Sequence, residues 1–534
     1  MKQNTEKTKY VFVTGGVLSS LGKGIFASSL ARLLKAGGAN ASIMKIDPYL
    51  NCDAGTLNPF EHGEVFVTRD GFECDLDLGN YERFLGIYAK KEQNIMMGSV
   101  YKAIIEKERH GDYLGKTLQL IPHATNEIKE RIKKAAQATA ADLLVIEIGG
   151  TVGDIESEIV LEAVRQMRCD LPREDTLSIH LALLPTIITG EQKTKPLQHS
   201  VKALLSRGIM PDLIVARCDS PLSQHAIEKI SLQCNVRPED VFSSPTVKNI
   251  YELPTLLKKQ GLHKNVARKL DIALKEPDLS SWNAATKNLE AAPLVRVAVV
   301  GKYAATKDAY MSIFEAIAHA AAANEVRAQT ELVNSEENNA RSLDGFDAVI
   351  VPGGFGARGI EGKITAVKHC RENKIPLLGI CYGFQMQVIE AARNILGWSD
   401  ANTTEASQET THPVIDLLPE QKSISDKGAT MRLGAREVRL KPGTLAYHIY
   451  GSDNILKRFR HRYEMNPEYI KALENAGIVF SGSDARGQIM KVLELPGHPF
   501  FFGTQFHPEF DSRPDEPEPA FLALLEAAKK RVNK

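Results

Sequence analysis

The sequence lacks the features that mark secreted, membrane-spanning and disulfide-stapled proteins. Its 534 residues include seven cysteines, none of them in a C-x-x-C pair, and an odd number of thiols in a long chain argues against a disulfide framework. No apolar run approaches the length needed to cross a bilayer, and the first residues lack the apolar core of a signal peptide. These absences predict a cytoplasmic protein with reduced thiols.

The chain also lacks net charge. Lysine plus arginine and aspartate plus glutamate both number 66, so no excess of either sign would steer the protein to nucleic acid or to an anionic membrane, and we expect neither as a partner. His62, His110, His123 and His199 show no metal-ligand spacing and are interpreted as polar contacts. What remains is an ordinary globular composition, 43% hydrophobic and 25% charged.

Two halves with the same rhythm of apolar strand and helix flank a polar segment. That segment, residues 275–293, is bounded by prolines and precedes a new apolar strand, so we expect a linker between a first domain, residues 1–274, and a second, residues 294–534. Apolar runs alternate with helical segments at residues 10–13, 41–46, 143–148, 177–184 and 213–216, and again at 295–300, 348–351 and 377–380. This alternation predicts an α/β fold with two doubly wound, mostly parallel sheets.

Three motifs in the second half follow predicted strands. One strand ends at Gly379-Ile380-Cys381-Tyr382-Gly383, the thiol counterpart of a nucleophile elbow, in which small residues permit a strained turn that lifts the nucleophile above the sheet. Another ends at His507-Pro508-Glu509, where His507 and Glu509 point the same way if the segment is extended, so the carboxylate can orient an imidazole that faces the thiol. A third ends at Pro352-Gly353-Gly354, whose backbone N–H groups could form an oxyanion hole.

Together these motifs resemble the class I glutamine amidotransferases over about residues 294–534, a family that releases ammonia from glutamine through a thioester. The resemblance implies that Cys381 is the nucleophile, that His507 is the general base and then the acid, and that Glu509 orients it. The family more often has leucine and methionine where Tyr382 and Phe384 stand here. The residues implied to bind glutamine are Gly354, Tyr382, Gly383, Phe384, Gln385, Glu405 and Arg462.

In the first half, a strand enters a glycine-rich turn that ends at Gly22-Lys23-Gly24. Such a turn between a strand and a helix can cradle phosphates with its backbone N–H groups, while the lysine reaches the terminal oxygens; a plain flexible turn is the alternative. Compared with the standard P-loop, one extra residue separates Gly16 from Gly22, and Gly24 replaces the serine or threonine that usually contacts Mg²⁺. A metal would therefore need oxygen ligands from elsewhere in the chain.

Carboxylates that could supply these oxygens occur twice. Asp75 and Asp77 alternate with apolar residues and would share one face of a strand. Glu147 interrupts the end of an apolar strand, where a carboxylate is costly to desolvate unless it is paired or binds a metal. Parallel sheets gather ligands at the carboxyl ends of their strands, so we expect Glu147 and the glycine-rich loop at one edge. A basic segment, residues 193–200, suits a phosphorylated substrate or is only an exposed loop.

Segments 11–16, 23–25, 44–49, 62–67, 75–84, 147–157 and 193–200 resemble the CTP synthase family, and with the second half the resemblance spans nearly the whole chain. It implies an enzyme in which ATP phosphorylates the 4-oxygen of UTP, and ammonia, either free or released from glutamine, displaces the phosphate to give CTP. One departure is the short stretch 411–430, where many members carry a longer insertion.

The same resemblance implies sites for nucleotides and metal. For ATP it implies Ser20, Leu21, Gly22, Lys23, Gly24, Ile25, Lys45 and Asp77, and for Mg²⁺ it implies Asp77 and Glu147. For UTP and an overlapping CTP feedback site it implies Ser19, Asp154, Ile155, Glu156, Lys193, Thr194, Lys195, Pro196, Leu197, Gln198 and Lys229. It further implies GTP as an allosteric activator and a homotetramer that can stack into filaments.

Two alternatives stay open on the sequence alone. Another P-loop amide ligase fused to a glutaminase, such as a cobyrinate synthase type, would share both halves but would lack segments 147–157 and 193–200. A nucleotide-switch protein of the chromosome-partitioning type would carry a vestigial second domain. The intact Cys381, His507 and Glu509 argue against this second alternative.

Overall fold

A computed structural model describes residues 8–287, 291–304, 306–337, 340–417 and 431–533. The chain divides into two compact units, the first made of Met1–Ala54 and Asp77–Ala284 and the second of Gly55–Leu76 and Ala285–Lys534. The chain enters the second unit for the last time after Ala284, which lies inside the expected linker, and residues 55–76 belong with the second unit. The assignment of residues 1–274 to one functional domain stays a prediction.

The described secondary structure alternates between strands and helices along both units. The strands are β1 (Lys9–Gly16), β2 (Ala41–Asp47), β3 (Phe66–Val67), β4 (Glu73–Cys74), β5 (Asn94–Met96), β6 (Leu143–Ile148), β7 (Thr176–Leu183), β8 (Leu213–Cys218), β9 (Val241–Pro245), β10 (Leu294–Gly301), β11 (Arg327–Asn334), β12 (Ala348–Val351), β13 (Leu377–Ile380), β14 (Asn402–Thr403), β15 (Pro413–Leu417), β16 (Arg432–Leu440), β17 (Asn454–His461), β18 (Tyr463–Met465), β19 (Val479–Ser483), β20 (Met490–Glu494) and β21 (Phe501–Thr504). The helices are α1 (Lys23–Ala36), α2 (Pro59–His62), α3 (Asp77–Leu85), α4 (Met97–His110), α5 (Thr125–Thr139), α6 (Glu158–Asp170), α7 (Lys195–Leu205), α8 (Gln224–Cys234), α9 (Leu253–Lys259), α10 (Leu262–Leu270), α11 (Ser280–Ala285), α12 (Met311–Ala323), α13 (Ile360–Asn373), α14 (Tyr382–Asn394), α15 (Leu445–Tyr450), α16 (Ile470–Asn475) and α17 (Pro519–Val532).

The first unit is built on a seven-stranded sheet with the order β5-β2-β6-β1-β7-β8-β9, and every neighbouring pair is parallel. Its central strands are buried on both faces, which is why they read as continuous apolar runs. On one face, alternate residues such as Phe12 and Ile146 pack against α5 and α6. Helix α1 contacts β2 and β6 but shares no residue with that cluster, so it covers the opposite face.

The second unit contains a nine-stranded sheet with the order β11-β10-β12-β13-β21-β20-β19-β16-β17. The strands from β11 to β21 in this order are parallel, and the remaining pairs are antiparallel. Val297 and Val299 of β10 pack with α12 and α17, whereas the intervening Ala298 and Val300 pack with α13 and α14. Helices therefore cover both faces, and the expected α/β class with doubly wound sheets is confirmed; the antiparallel half of this sheet is an addition.

Within the described part of the chain, no helix combines the length and the apolar character that a membrane span requires. Of the short stretch 411–430, residues 418–430 lie outside the described residues.

Candidate active sites

A strained turn carries the candidate nucleophile in the second unit. Cys381 lies between β13 and α14 with φ 51° and ψ −95°, a region that residues other than glycine rarely adopt. Its backbone N–H donates to Thr504 O at 2.6 Å, which ties the turn to the end of β21. A Cβ placed on Gly383 would overlap Val351 O, so helix α14 can begin this close to β12 only without a side chain there. The predicted strand–turn–helix geometry at Cys381 is confirmed, and the role of Cys381 as a nucleophile stays a prediction.

The imidazole of His507 lies beside this cysteine. His507 Nδ1 and Glu509 Oε1 are 2.7 Å apart, which leaves Nε2 as the nitrogen that can face the thiol. A Cβ placed on Gly353 would lie 3.7 Å from both His507 Nε2 and Cys381 Cβ, so the three residues converge. Phe510 stacks on the imidazole with 5.1 Å between ring centroids and fixes its plane.

Charge around His507 favours its protonated form. Burial lowers the pKa of His507, but its interactions with the negative charges of Glu509 and Cys381 outweigh burial and raise the pKa to about 10. A cationic imidazole beside the sulfur stabilises the thiolate, which is the reactive form of cysteine.

The loop after β12 is anchored from behind by a buried lysine. Lys363 is 1% exposed, and its Nζ donates to Pro352 O at 3.0 Å. Because a trans peptide directs its C=O and N–H to opposite sides, this bond turns the N–H of Gly353 away from Lys363. The Tyr382 hydroxyl donates to Gly356 O at 2.8 Å and holds the far end of the loop. Burial lowers the pKa of Lys363 to about 7, with a further decrease from the charge of Lys302.

Of the residues expected to bind glutamine, some lie near the glycine loop and others turn their side chains into the protein. In the first group, Glu405 accepts a hydrogen bond from Gly356 N at 2.7 Å. The positive charges of Lys302 and Arg462 act on the Glu405 carboxylate, so Glu405 and Arg462 both lie near the glycine loop. Burial is the main cause that raises the pKa of Glu405. The side chains of Phe384 and Gln385 are turned into the protein: Phe384 packs in the core, and Gln385 donates to Tyr463 O at 2.8 Å.

A cavity of about 220 Å³ adjoins Cys381, and part of its wall comes from residues 55–65. Glu64 holds this segment by accepting from Ser312 N at 2.8 Å. Further along the segment, Arg458 donates to Val67 O at 3.0 Å and to Phe510 O at 2.6 Å, and it is fully buried. The guanidinium thus links the 55–76 segment to the turn that carries Glu509.

In the first unit, the glycine-rich loop connects β1 and α1 as expected. Residues 17–20 are exposed, while the Lys23 side chain folds back over Gly15 and donates to Gly150 O at 2.7 Å. Burial lowers the pKa of Lys23. Beneath the loop, His180 joins Thr14 Oγ1 at 2.9 Å to Ser200 Oγ at 2.8 Å, and burial followed by the charge of Lys23 lowers the pKa of His180 to about 3.

Two carboxylates converge on the first turn of α1. A Cβ placed on Gly24 would overlap Asp77 Oδ1 and lie 3.2 Å from Glu147 Oε2, so the missing side chain leaves room beside both oxygens. Lys45 Nζ donates to Asp77 Oδ2 at 2.5 Å, and the Tyr81 hydroxyl donates to Glu147 Oε2. The expectation that Asp75 and Asp77 share a strand face is wrong, because β4 ends at Cys74 and Asp77 begins α3.

This pair of carboxylates fits a divalent cation. Burial and then the negative charge of Asp77 raise the pKa of Glu147 to about 8, so a cation between them would relieve the cost of ionising both. No group of three or more histidine, cysteine, aspartate or glutamate side chains in the described ranges could hold a metal by itself. Mg²⁺ characteristically takes one or two carboxylates and completes its shell with phosphate oxygens and water.

The structure brings most of the expected UTP segments to the same edge. The loop that follows β6 contacts the end of β1 through a bond from Val152 N to Gly15 O at 2.8 Å, and it exposes Asp154, Ile155 and Glu156. Ser200 of α7 packs against Gly16, which places the start of that helix below the glycine-rich loop. Just before α7 and in its first turn, Lys193, Lys195 and Pro196 keep exposed surface. Thr194 and Gln198 are buried and bonded to each other, and Leu197 belongs to the core.

Lys193 pairs with Glu191 at 2.6 Å, and Lys229 of α8 is exposed. The pKa of Glu191 is lowered chiefly by Lys193, and the charge of Lys229 contributes to this decrease. Both lysines therefore act on one carboxylate and lie near each other.

Sequence reasoning missed three contributors to the second site: Gln505, Lys363 and the wall formed by residues 55–65. Gln505 lies two positions before His507 and could have been found from that spacing. The segment is not extended as expected, because β21 ends at Thr504 and Pro508–Asp511 forms a 3₁₀ turn. No sequence motif marks Lys363 or residues 55–65 as part of this site, since their contacts with it depend on tertiary structure.

The chain is similar to proteins of known families over nearly its whole length. The family model described as CTP synthase N-terminus matches residues 9–272, and the model described as glutamine amidotransferase class-I matches residues 305–527. A CTP synthase of Thermococcus kodakarensis is 52% identical over 532 residues, which cover 98% of this chain and 99% of its own. A CTP synthase of Thermus thermophilus is 51% identical and covers 97% of this chain and 96% of its own. A solved structure, the glutaminase domain of Trypanosoma brucei CTPS with bound acivicin, is 38% identical, covers 44% of this chain and 94% of its own, and has a TM-score of 0.42.

The two sheets and their sites define a glutamine-hydrolysing ligase, in which an α/β synthetase is joined to a class I glutaminase. The chain belongs to the CTP synthase family. These findings support neither a cobyrinate synthase type nor a nucleotide switch.

Proposed function

We propose that the chain makes CTP by ATP-dependent amination of UTP at C4, with glutamine or free ammonia as the nitrogen donor, in pyrimidine nucleotide biosynthesis. One observation supports this most strongly. A single chain of this family holds both a strained cysteine beside a histidine–glutamate pair and a phosphate loop flanked by two carboxylates.

In the proposed glutaminase reaction, the sulfur of Cys381 attacks the carboxamide of glutamine after its proton has passed to His507. The N–H groups of Gly353 and Gly354 stabilise the oxyanion. His507 then returns the proton to the leaving nitrogen, so that ammonia departs and a thioester remains for water to hydrolyse. Glu405 and Arg462 suit the charged amino and carboxylate groups of glutamine, and the backbone of residues 382–385 lies beside the nucleophile.

In the proposed synthase reaction, the loop from Ser20 to Ile25, together with Lys45, binds ATP. Lys23 stabilises the charge of the γ-phosphoryl group as it passes to the 4-oxygen of UTP, which gives ADP and a phosphorylated uracil. Ammonia displaces that phosphate, and CTP and inorganic phosphate result. Asp77 and Glu147 would hold Mg²⁺, which when bound would neutralise phosphate charge. Ser19, the 154–156 loop, residues 193–198 and Lys229 are proposed to contact UTP and the feedback inhibitor CTP.

Regulation and assembly are proposed from the family. GTP activates the glutaminase half, and the enzyme is a cytoplasmic homotetramer that forms in the presence of UTP and ATP and can stack into filaments. Large apolar side chains exposed on the first unit, among them Leu114 at 89%, Ile155 at 82% and Ile188 at 107%, are consistent with surfaces that subunits cover. Sedimentation velocity with and without UTP and ATP tests the assembly.

The proposed activity is tested with the purified full chain, ATP, UTP and either glutamine or ammonium chloride, with nucleotides separated by chromatography. CTP, ADP and phosphate should form in equal amounts with both donors, and chelation of Mg²⁺ should stop CTP formation with both. Hydrolysis of glutamine without CTP formation from either donor would contradict the proposal.

A further inference from the structure

Gln505 touches the sulfur of the candidate nucleophile. Its side chain is completely buried just after β21, and its Nε2 lies 3.5 Å from Cys381 Sγ. A buried amide at this position either fills space or acts on the sulfur. The direction of its hydrogen bonds decides between these two roles.

The orientation of the Gln505 amide follows from a backbone carbonyl. Tyr463 O can only accept a hydrogen bond, so Gln385 must direct its amide nitrogen toward it, at 2.8 Å. The same nitrogen lies 3.2 Å from Gln505 Oε1 and donates its second proton there. Gln505 must therefore present its NH₂ group, and not its oxygen, to Cys381 Sγ.

A second contact of the sulfur has the opposite chemical preference. Cys381 Sγ lies 3.6 Å from Arg460 O, and a carbonyl oxygen can accept a hydrogen bond from a thiol but has none to donate to a thiolate. The Gln505 N–H group, in contrast, bonds most strongly to the anion, since charge-assisted hydrogen bonds are about twice as strong as neutral ones. The two contacts therefore favour different protonation states of one sulfur atom.

We propose that Gln505 is a further catalytic residue of the glutaminase reaction, whose amide N–H stabilises the thiolate of Cys381 before attack and again when the thioester is hydrolysed. The thiol proton goes to His507, and Gln505 neither gains nor loses one. This inference rests on the proposed role of Cys381 as the glutaminase nucleophile. Gln385 is a positioning residue, because it acts on the sulfur only through the orientation of Gln505.

The test is the pH profile of Cys381 alkylation by iodoacetamide in the full chain, read by peptide mass spectrometry, with exposed Cys52 and Cys169 as internal references. Gln505→Leu and the isosteric Gln505→Glu should each move the midpoint of alkylation upward by about one to two pH units. Both variants keep the titratable groups that act on this thiol, namely His507, Lys363 and Tyr382. The glutaminase kcat should fall about ten- to a hundredfold, while CTP synthesis from ammonium chloride stays at the wild-type rate.

Gln387→Leu is the matched control. Gln387 is equally buried, lies between α14 and β21 and donates to Phe502 O at 3.3 Å, so its loss disturbs packing nearby without removing the contact to sulfur. Its alkylation midpoint should equal that of the wild type. If Gln505→Leu does not fold, Gln505→Glu and Gln385→Leu provide the test. Gln385→Leu should move the midpoint of Cys381 alkylation upward by less than Gln505→Glu does.

Unchanged midpoints in the folded Gln505 variants would overturn the inference. A wild-type protein that does not hydrolyse glutamine would instead contradict the proposed function, and the alkylation profile would still report whether Gln505 acts on the sulfur.

Discussion

The carboxyl ends of parallel strands carry a site in each unit, but the two sites are completed in different ways. In the second unit, the groups around Cys381 find their partners within the chain: Glu509 holds His507, Lys363 anchors the glycine loop, and Gln385 orients Gln505. In the first unit, Lys23, Lys45, Asp77 and Glu147 gather charge around an exposed glycine-rich turn. That edge is suited to a ligand that brings phosphates and a cation with it.

The histidines show the same contrast. In the first unit His180 is held neutral by burial with its pKa near 3, whereas in the second unit His507 is held protonated by Glu509 and Cys381 with its pKa near 10. Burial acts on both in the same direction, so the neighbouring negative charges decide the outcome. The difference is consistent with a structural role for His180 and with the proton transfer proposed for His507.

The largest expected effect separates the two sites by nitrogen donor. Cys381→Ala should lose glutamine-dependent CTP synthesis completely, because no other group can form the thioester. It should still make CTP from UTP, ATP and ammonium chloride at mildly alkaline pH, where more NH₃ is free. Steady-state rates with each donor measure this. A folded variant that fails with both donors would show that the sites are not independent, and synthesis with glutamine would show that the nucleophile is misassigned.

Removal of a positive charge from the site in the first unit should slow CTP synthesis equally with glutamine and with ammonia. Lys23→Ala should lower CTP formation roughly a hundredfold or more, since the lysine stabilises the transferring phosphoryl group and activation of UTP precedes either nitrogen source. Glutamine hydrolysis should continue. Lys35→Ala, at the other end of α1, is the control and should stay near the wild-type rate. Rescue of Lys23→Ala by ammonium salts would mean that Lys23 serves only the coupling of the two reactions.

A smaller effect is expected from the lysine that anchors the glycine loop after β12. Lys363→Met removes the hydrogen bond to Pro352 O and should reduce the glutaminase kcat about tenfold, with little change in the KM for glutamine and none in ammonia-dependent synthesis. Lys368→Met, on the exposed side of the same helix, controls for loss of charge. An increase in KM without a change in kcat would assign Lys363 to substrate binding instead of loop orientation.

The last prediction concerns the pH dependence of stability and not the rate of either reaction. Because the pKa of His180 is depressed to about 3, the unfolded chain takes up a proton below about pH 6.5 that the folded chain does not, and stability falls by about 1.4 kcal/mol per pH unit from this group. His180→Gln should remove that slope in denaturant titrations between about pH 7 and 4. His507 should contribute a slope of the opposite sign at higher pH. The stability that comes from its raised pKa is fully present below about pH 6.5 and is lost as pH rises toward 10, so His507→Gln should remove that loss. Equal slopes in wild type and His180→Gln would show that His180 is not held neutral.

The sequence predicted those parts of the fold and site that local patterns specify. The buried strands β1, β6, β12 and β13 were recognisable as apolar runs, and the strained turn at Cys381 follows from glycines two positions to either side. The antiparallel strands β16, β17, β19 and β20 were not recognised, since each mixes polar and apolar residues. The placement of Asp77 on a helix, the anchor Lys363 and the orientation of Gln505 depend on contacts with residues far away in sequence, which no local pattern encodes.

The segment held by Arg458 has a consequence for dissecting the chain. Arg458 and Val67 are 391 positions apart, and the chain passes between the units after residues 54, 76 and 284. A single cut at the linker therefore cannot yield the second unit intact, because its 55–76 portion stays on the other fragment. A recombinant piece that begins at residue 294 would leave the Arg458 guanidinium without its Val67 acceptor and the cavity beside Cys381 without one wall. To keep these contacts in the isolated unit, both pieces have to be supplied, either in trans or rejoined by a redesigned connection.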